Sequence, residues 1–146
     1  MDTLMLSDRP HLSRPGSATV LVVEDEIFVR EPIAEYLRDC GYQVLEAGDA
    51  REAISLVEGA TSVDVVFSDV RMPGDMDGFA LAQWLRAHHP EVSVLLTSGY
   101  YATRQLGAPT PDVKLIEKPY SQAHVLRRIK ALRPSPPVRP SARPAS

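Results

Sequence analysis

The chain has 146 residues, 44% hydrophobic and 24% charged, with a net charge of −3, an ordinary globular composition that suits one domain around one core. Its single cysteine, Cys40, excludes an intrachain disulfide or thiolate metal cluster; no apolar run reaches the ~20 residues of a membrane span, and no basic-then-apolar leader opens the chain, so a cytoplasmic protein without membrane contact is expected. From Ala18 to Leu132 there are 17 acidic and 11 basic residues, a balance of −6 that argues against a nucleic-acid partner.

Residues 1–17 are expected to be a disordered N-terminal segment and 18–132 the domain. "TVLVVE" (Thr19 to Glu24) is β-branched, almost wholly apolar, and predicts the first strand. A helix follows from about Ile27 to Cys40, with Ile33 and Leu37 on one face and Gly41 as its C-terminal cap. Pro32 lies inside that helix, where it removes one backbone hydrogen bond and is expected to bend it. "YQVLEA" predicts strand two, and "DAREAISLVEG" a helix whose Asp49 and Glu52 stand in capping-box spacing. "VDVVFS" predicts strand three. "DGFALAQWLRAHHP" predicts a helix with Phe79, Ala82 and Leu85 in helical spacing, stopped by Pro90. "VSVLLT" predicts strand four, and "VKLIEKP" contains a short fifth. Between those two, "GYYATRQLGAPTPD" holds two glycines and two prolines, so its helix should be short and irregular. "SQAHVLRRIKAL" predicts the last helix, capped by Ser121, with Val125, Ile129 and Leu132 inward. The tail "RPSPPVRPSARPAS" (133–146) carries three arginines, five prolines and no acid; such a composition buries too little apolar area to fold and is expected to be disordered.

Strands that are near-continuous apolar runs, alternating with helices, point to an α/β fold with a parallel sheet covered on both faces. Ligands of such sheets bind beyond the carboxyl ends of the strands. Glu24, Asp25 and Glu26 stand at the end of strand one, Asp69 at the end of strand three, Thr97 and Ser98 at strand four, and Lys118 and Pro119 at strand five. Any one of these could merely cap its strand; four strand ends with convergent chemistry are better explained by a shared site. Clustered carboxylates repel one another and call for a cation, and hard oxygen donors without His or Cys favour Mg²⁺. Carboxylate, Mg²⁺, hydroxyl and lysine are together the parts for phosphoryl transfer to an aspartate.

With "VLVVEDE", "DVRMPGDMDG", "LLTSGY" and "EKPY" in this order, the chain resembles a response-regulator receiver domain of two-component signalling, over about Thr19 to Leu132. The resemblance implies a flavodoxin-like (βα)5 doubly wound parallel sheet with strand order 2-1-3-4-5. It makes Asp69 the phospho-acceptor. It makes Asp25 a direct Mg²⁺ ligand, Glu24 one acting through a metal-bound water, and Arg71 the donor of a backbone carbonyl. Thr97 matches the switch hydroxyl and Lys118 the phosphate-pairing lysine, aimed by a cis bond to Pro119. Three departures stand out. Gly74-Asp75 reads as a one-residue insertion beside the site. Leu115 occupies the position of the usual rotating aromatic. Tyr100 and Tyr101 follow the switch threonine and are candidates for that aromatic's part.

The implied function is a stand-alone phosphoprotein, not an enzyme beyond its own phosphorylation and dephosphorylation. A histidine kinase or histidine phosphotransfer protein would supply the phosphoryl group. Phosphorylation would shift a loop and the face around the fourth helix, fifth strand and fifth helix, and output would act by binding a protein of unknown identity. Two other readings stay open: a phosphorelay shuttle without switching, and an aspartate-nucleophile hydrolase of phosphatase type. The second expects an acid two residues after the nucleophile, where Arg71 stands. A nucleotide-binding module would need a Gly-rich phosphate loop, and none occurs. His88, His89, His124 and Trp84 read as surface or packing residues, and Cys40 as a small buried filler.

Overall fold

The five predicted strand segments form one parallel sheet: β1 (Thr19–Val23), β2 (Gln43–Ala47), β3 (Val65–Asp69), β4 (Ser93–Ser98) and β5 (Lys114–Glu117). Their order is β2-β1-β3-β4-β5, the doubly wound topology expected from the sequence. The structure is a computed structural model and describes residues 17–59, 62–99 and 114–132. Four helices fall among the described residues: α1 (Ile27–Asp39), α2 (Ala50–Val57), α3 (Gly78–His88) and α4 (Gln122–Leu132). The helix expected between β4 and β5, with Tyr100 and Tyr101, lies outside them, as do residues 1–16 of the N-terminal segment and the tail 133–146, both expected to be disordered.

Successive strand residues point to opposite faces of the sheet, and both faces are apolar. Val20, Val22, Val65, Phe67, Leu95 and Ile116 face α1 and α4, where Ile33, Leu37, Val125 and Ile129 meet them. Leu21, Val23 and Val66 face α2 and α3 through Ala53, Val57, Leu81 and Leu85. This is why β1 and β3 are buried along their whole length and show no polar alternation.

The local signals act as chemistry predicts. The Asp49 carboxylate accepts from Glu52 N at 2.8 Å, while Glu52 reaches back to Gly48 N at 2.8 Å. Ser121 Oγ accepts from His124 N at 3.0 Å and caps α4. At the end of α1, Gly41 has φ +102°, with Gly41 N donating to Arg38 O and Tyr42 N to Leu37 O. That six-to-one and five-to-two pair is a Schellman ending, which needs a residue free to adopt positive φ. The helix runs through Pro32 without interruption to Asp39.

Cys40 corrects the sequence reading: it is exposed. It sits at the helix cap, one residue before the chain turns back, and the turn carries it away from the core. His88 and Trp84 pair more closely than expected, with stacked rings 4.5 Å apart, and the His88 ring also bonds the Trp84 carbonyl at 2.9 Å.

Candidate functional site

Register brings the strand ends together. Val23 pairs with Ser68, and Asp69 with Thr97. Lys118 N then donates to Ser98 O at 2.9 Å just past β5. The carboxylates of Glu24, Asp25 and Asp69 consequently each place an oxygen within 4.8 Å of the others. Lys118 Nζ reaches Asp69 Oδ2 at 3.0 Å, and the Arg71 backbone N–H approaches Asp69 Oδ1 at 3.3 Å. The Lys118–Pro119 peptide is cis. Asp25 and the Arg71 side chain are exposed, whereas Glu24, Asp69 and Thr97 are buried.

The electrostatics follow from that crowding. Burial, with the neighbouring charge of Asp69 and a side-chain hydrogen bond to Asp25, lifts the Glu24 carboxyl to about 7, against the opposing bond from Glu26 N and the attraction of Lys118. Burial alone would lower the Lys118 ammonium, but its bond and attraction to Asp69, helped by Glu24, outweigh that and hold it above its ordinary value. The sign for Glu24 is that of an acid whose charged form the fold disfavours. Its contribution to stability is greatest below the ordinary value of 4.5 and is lost as pH rises toward about 7. Glu24→Gln should therefore stabilise the metal-free protein at pH 8, by about 1–3 kcal/mol, and leave it unchanged at pH 4. Thermal melts in chelator across that range check this, and a variant that is less stable at pH 8 refutes it.

The structure brings Glu24, Asp25, Asp69, Arg71, Thr97 and Lys118 to one edge as the sequence predicts. Leu115 packs with Val70, Ala82 and Leu96. The inserted residues form an exposed turn in which Gly74 has φ +96°, and Asp75 makes a two-point ion pair with Arg51 of α2, at 2.6 and 3.2 Å. The Arg51 carboxylate partner is held below the usual acid range by that bond and charge.

Sequence reasoning missed four residues around the site. Gly78 starts α3 directly against the Asp69–Val70 backbone. Tyr120 packs edge-on against Phe67, ring centres 5.7 Å apart. Arg30 holds the Glu24 carbonyl at 2.9 Å. Phe28, three residues after Asp25 in the chain, is 91% exposed. Only Gly78 had a visible signal, in the Asp-Gly pair that opens its helix; the others depend on through-space contacts.

Fold and site together define a doubly wound α/β protein with an acidic strand-end site facing a lysine. The chain belongs to the response regulator receiver domain family, whose model matches residues 20–130. It is 38% identical over 120 residues to the sensor kinase CckA of Brucella abortus, covering 80% of this chain and 13% of that protein. It is 32% identical over 121 residues to the transcriptional regulatory protein GltR of Pseudomonas aeruginosa, covering 78% of this chain and 48% of that one. The chain thus spans less than half the length of either relative. Among solved structures, the receiver domain of the hybrid histidine kinase CckA aligns with TM-score 0.66 and 34% identity, over 79% of this chain and 98% of that one. A response regulator receiver protein from Sinorhizobium medicae aligns with TM-score 0.71 and 25% identity, over 80% of this chain and 94% of that one. The chain is accordingly a phospho-accepting receiver. No helix among the described residues is long and apolar enough to cross a membrane.

Proposed function

We propose that Asp69 is the phospho-acceptor, with Mg²⁺ held by Asp25 and Asp69, the Arg71 carbonyl, and Glu24 through a water. The observation that carries this reading is Thr97 Oγ1, a buried hydroxyl with no hydrogen-bond partner among the described residues. A buried polar atom left unsatisfied is rare and calls for an explanation. Thr97 pairs with Asp69 in register, so a phosphoryl oxygen on Asp69 would supply the missing partner. Three oxygen-donor carboxylates within 4.8 Å also fit a hard divalent cation. Bound there, Mg²⁺ would neutralise charge developing on the transferred group.

The chain's own residues divide the remaining work. Asp69 Oδ1 or Oδ2 attacks the phosphorus of a phosphohistidine, and the bond to the imidazole nitrogen breaks as the new P–O bond forms. Lys118 moves its ammonium from the carboxylate to a phosphoryl oxygen. Thr97 then donates its hydroxyl to another, and the ordering of that hydroxyl couples the acceptor to β4 and the segment after it. Domain limits of 18–132, a cytoplasmic location, a signalling rather than enzymatic role and an output through protein binding belong to the same reading. The donor is a histidine kinase or phosphotransfer protein, and the exposed Phe28, three residues after Asp25 in the chain, offers it an apolar anchor.

Incubation with acetyl phosphate and Mg²⁺ should give one hydroxylamine-sensitive phosphoryl group per chain. Excess chelator should abolish it while the circular dichroism stays unchanged. Undiminished labelling in chelator sinks the metal assignment.

A further inference from the structure

Glu24 is fixed more tightly than its neighbours require. Its backbone N–H donates to Ala47 O of β2 at 3.0 Å, and its side chain accepts from Glu26 N at 3.1 Å. Its carbonyl, the one that opens the peptide plane leading to Asp25, accepts from Arg30 Nη1 at 2.9 Å. Arg30 is held in turn: its Nε donates to Glu46 Oε1 at 3.0 Å. Glu46 is a β2 residue, and its other oxygen accepts from Arg38 Nη2 at 3.1 Å, which also bonds Val44 O at 3.0 Å. A chain of contacts therefore runs from Arg38 through Glu46 and Arg30 to the peptide between Glu24 and Asp25. The Arg30 and Glu46 side chains are only 17% and 23% exposed, so the pair is screened less than a surface bridge. Gly48 lies over the guanidinium, leaving just room for a Cβ at 3.6 Å.

We propose that Arg30, oriented by Glu46, is a positioning residue for the divalent cation, an inference that rests on the metal reading above. Rotating the Glu24–Asp25 peptide would swing the exposed Asp25 side chain relative to the Glu24 and Asp69 carboxylates it meets. A cationic fork on the carbonyl fixes that plane, and a fork is required because one nitrogen bonds the carbonyl while another bonds Glu46. Groups that orient a ligand from outside the metal's own contacts typically change metal affinity ~10-fold when removed. Arg30 touches neither the acceptor nor the reacting atoms, so its effect belongs in cation binding and not in the transfer step.

The full chain and the variants Arg30→Gln, Glu46→Gln and Arg38→Gln are titrated with Mg²⁺, following backbone amide shifts of Asp25 and Arg71 by NMR. Labelling by acetyl phosphate is measured in parallel against Mg²⁺ concentration. Arg30→Gln is expected to raise the Mg²⁺ Kd ~10-fold, with the same rise in half-saturating Mg²⁺ and a rate at saturation within about twofold of the wild type. Glu46→Gln keeps a neutral acceptor and should raise Kd at least ~3-fold, which preserves the test if Arg30→Gln does not fold. Arg38→Gln removes a contact to the same carboxylate but leaves the carbonyl bond, and its Kd should stay within about twofold. A wild-type titration of normal form with unchanged Kd in the Arg30 and Glu46 variants overturns this role alone. So does a loss confined to the saturated rate. A wild type whose amides ignore Mg²⁺ overturns the metal reading and this inference with it.

Discussion

Asp69→Asn is expected to lose all phosphoryl label from acetyl phosphate or from a phosphorylated kinase. A carboxylate is a competent nucleophile toward phosphorus and an amide is not, so the loss should be complete and not merely a slowing. The change should leave the fold in place. Asparagine keeps an oxygen at the same position, so Lys118 Nζ, at 3.0 Å from Asp69 Oδ2, still has an acceptor. The lysine is also about one-third exposed and can turn to water. The ammonium loses its nearest negative charge, so its proton affinity should fall, since the attraction to Asp69 is what outweighs burial in the native site. A circular dichroism spectrum matching the wild type, with no hydroxylamine-sensitive phosphate by mass spectrometry, is the expected pair of results. Label retained at wild-type stoichiometry would move the acceptor to Asp25 or Glu24.

The inner strands β1 and β3 were readable because burial on two faces leaves an unbroken apolar run, and a run such as Val20–Val23 admits no other reading in a chain that alternates with helices. The helix ends were readable from short-range chemistry: Asp49, Ser121 and Gly41 each act within three residues of themselves. The site was readable because parallel strands end on one side, so a residue's place in the sequence also gives its place in the site. Asp69 and Thr97 need no more than that. Arg30 is different. Its function depends on Glu46, sixteen residues away on the edge strand, and no local pattern announces which carbonyl a guanidinium will meet. Cys40 was misread for a related reason. Its small apolar side chain suits a core, but the Schellman turn decides its direction, and that turn depends on the backbone of Gly41 and Tyr42. The Asp75 insertion could be counted in the sequence, yet its pairing with Arg51 could not.

Gly78→Ala should be the most destabilising single methyl addition among the described glycines. An added Cβ would lie 2.7 Å from Val70 Cα and closer still to the Asp69 carbonyl oxygen. Both are backbone atoms, so no side chain can rotate aside. The close approach is itself held by a hydrogen bond, Gly78 N to Val70 O at 2.7 Å, so α3 cannot retreat without losing it. Overpacking of this kind typically amounts to about 3 kcal/mol, or roughly a 10 °C fall in Tm for a domain of this size. Gly59 provides the control: a Cβ there meets Leu56 O at 3.4 Å and Ser55 O at 3.5 Å, which is ordinary contact, and Gly59→Ala should leave Tm within about 2 °C. The Gly78 variant should also label slowly with acetyl phosphate, because the peptide it displaces carries the acceptor at Asp69. That second readout separates a shift at the strand end from general loosening. If Tm falls but the folded fraction labels at the wild-type rate, the helix has moved and the strand has not, and the rigidity of Asp69 comes from its pairing with β4 instead of from its contact with α3.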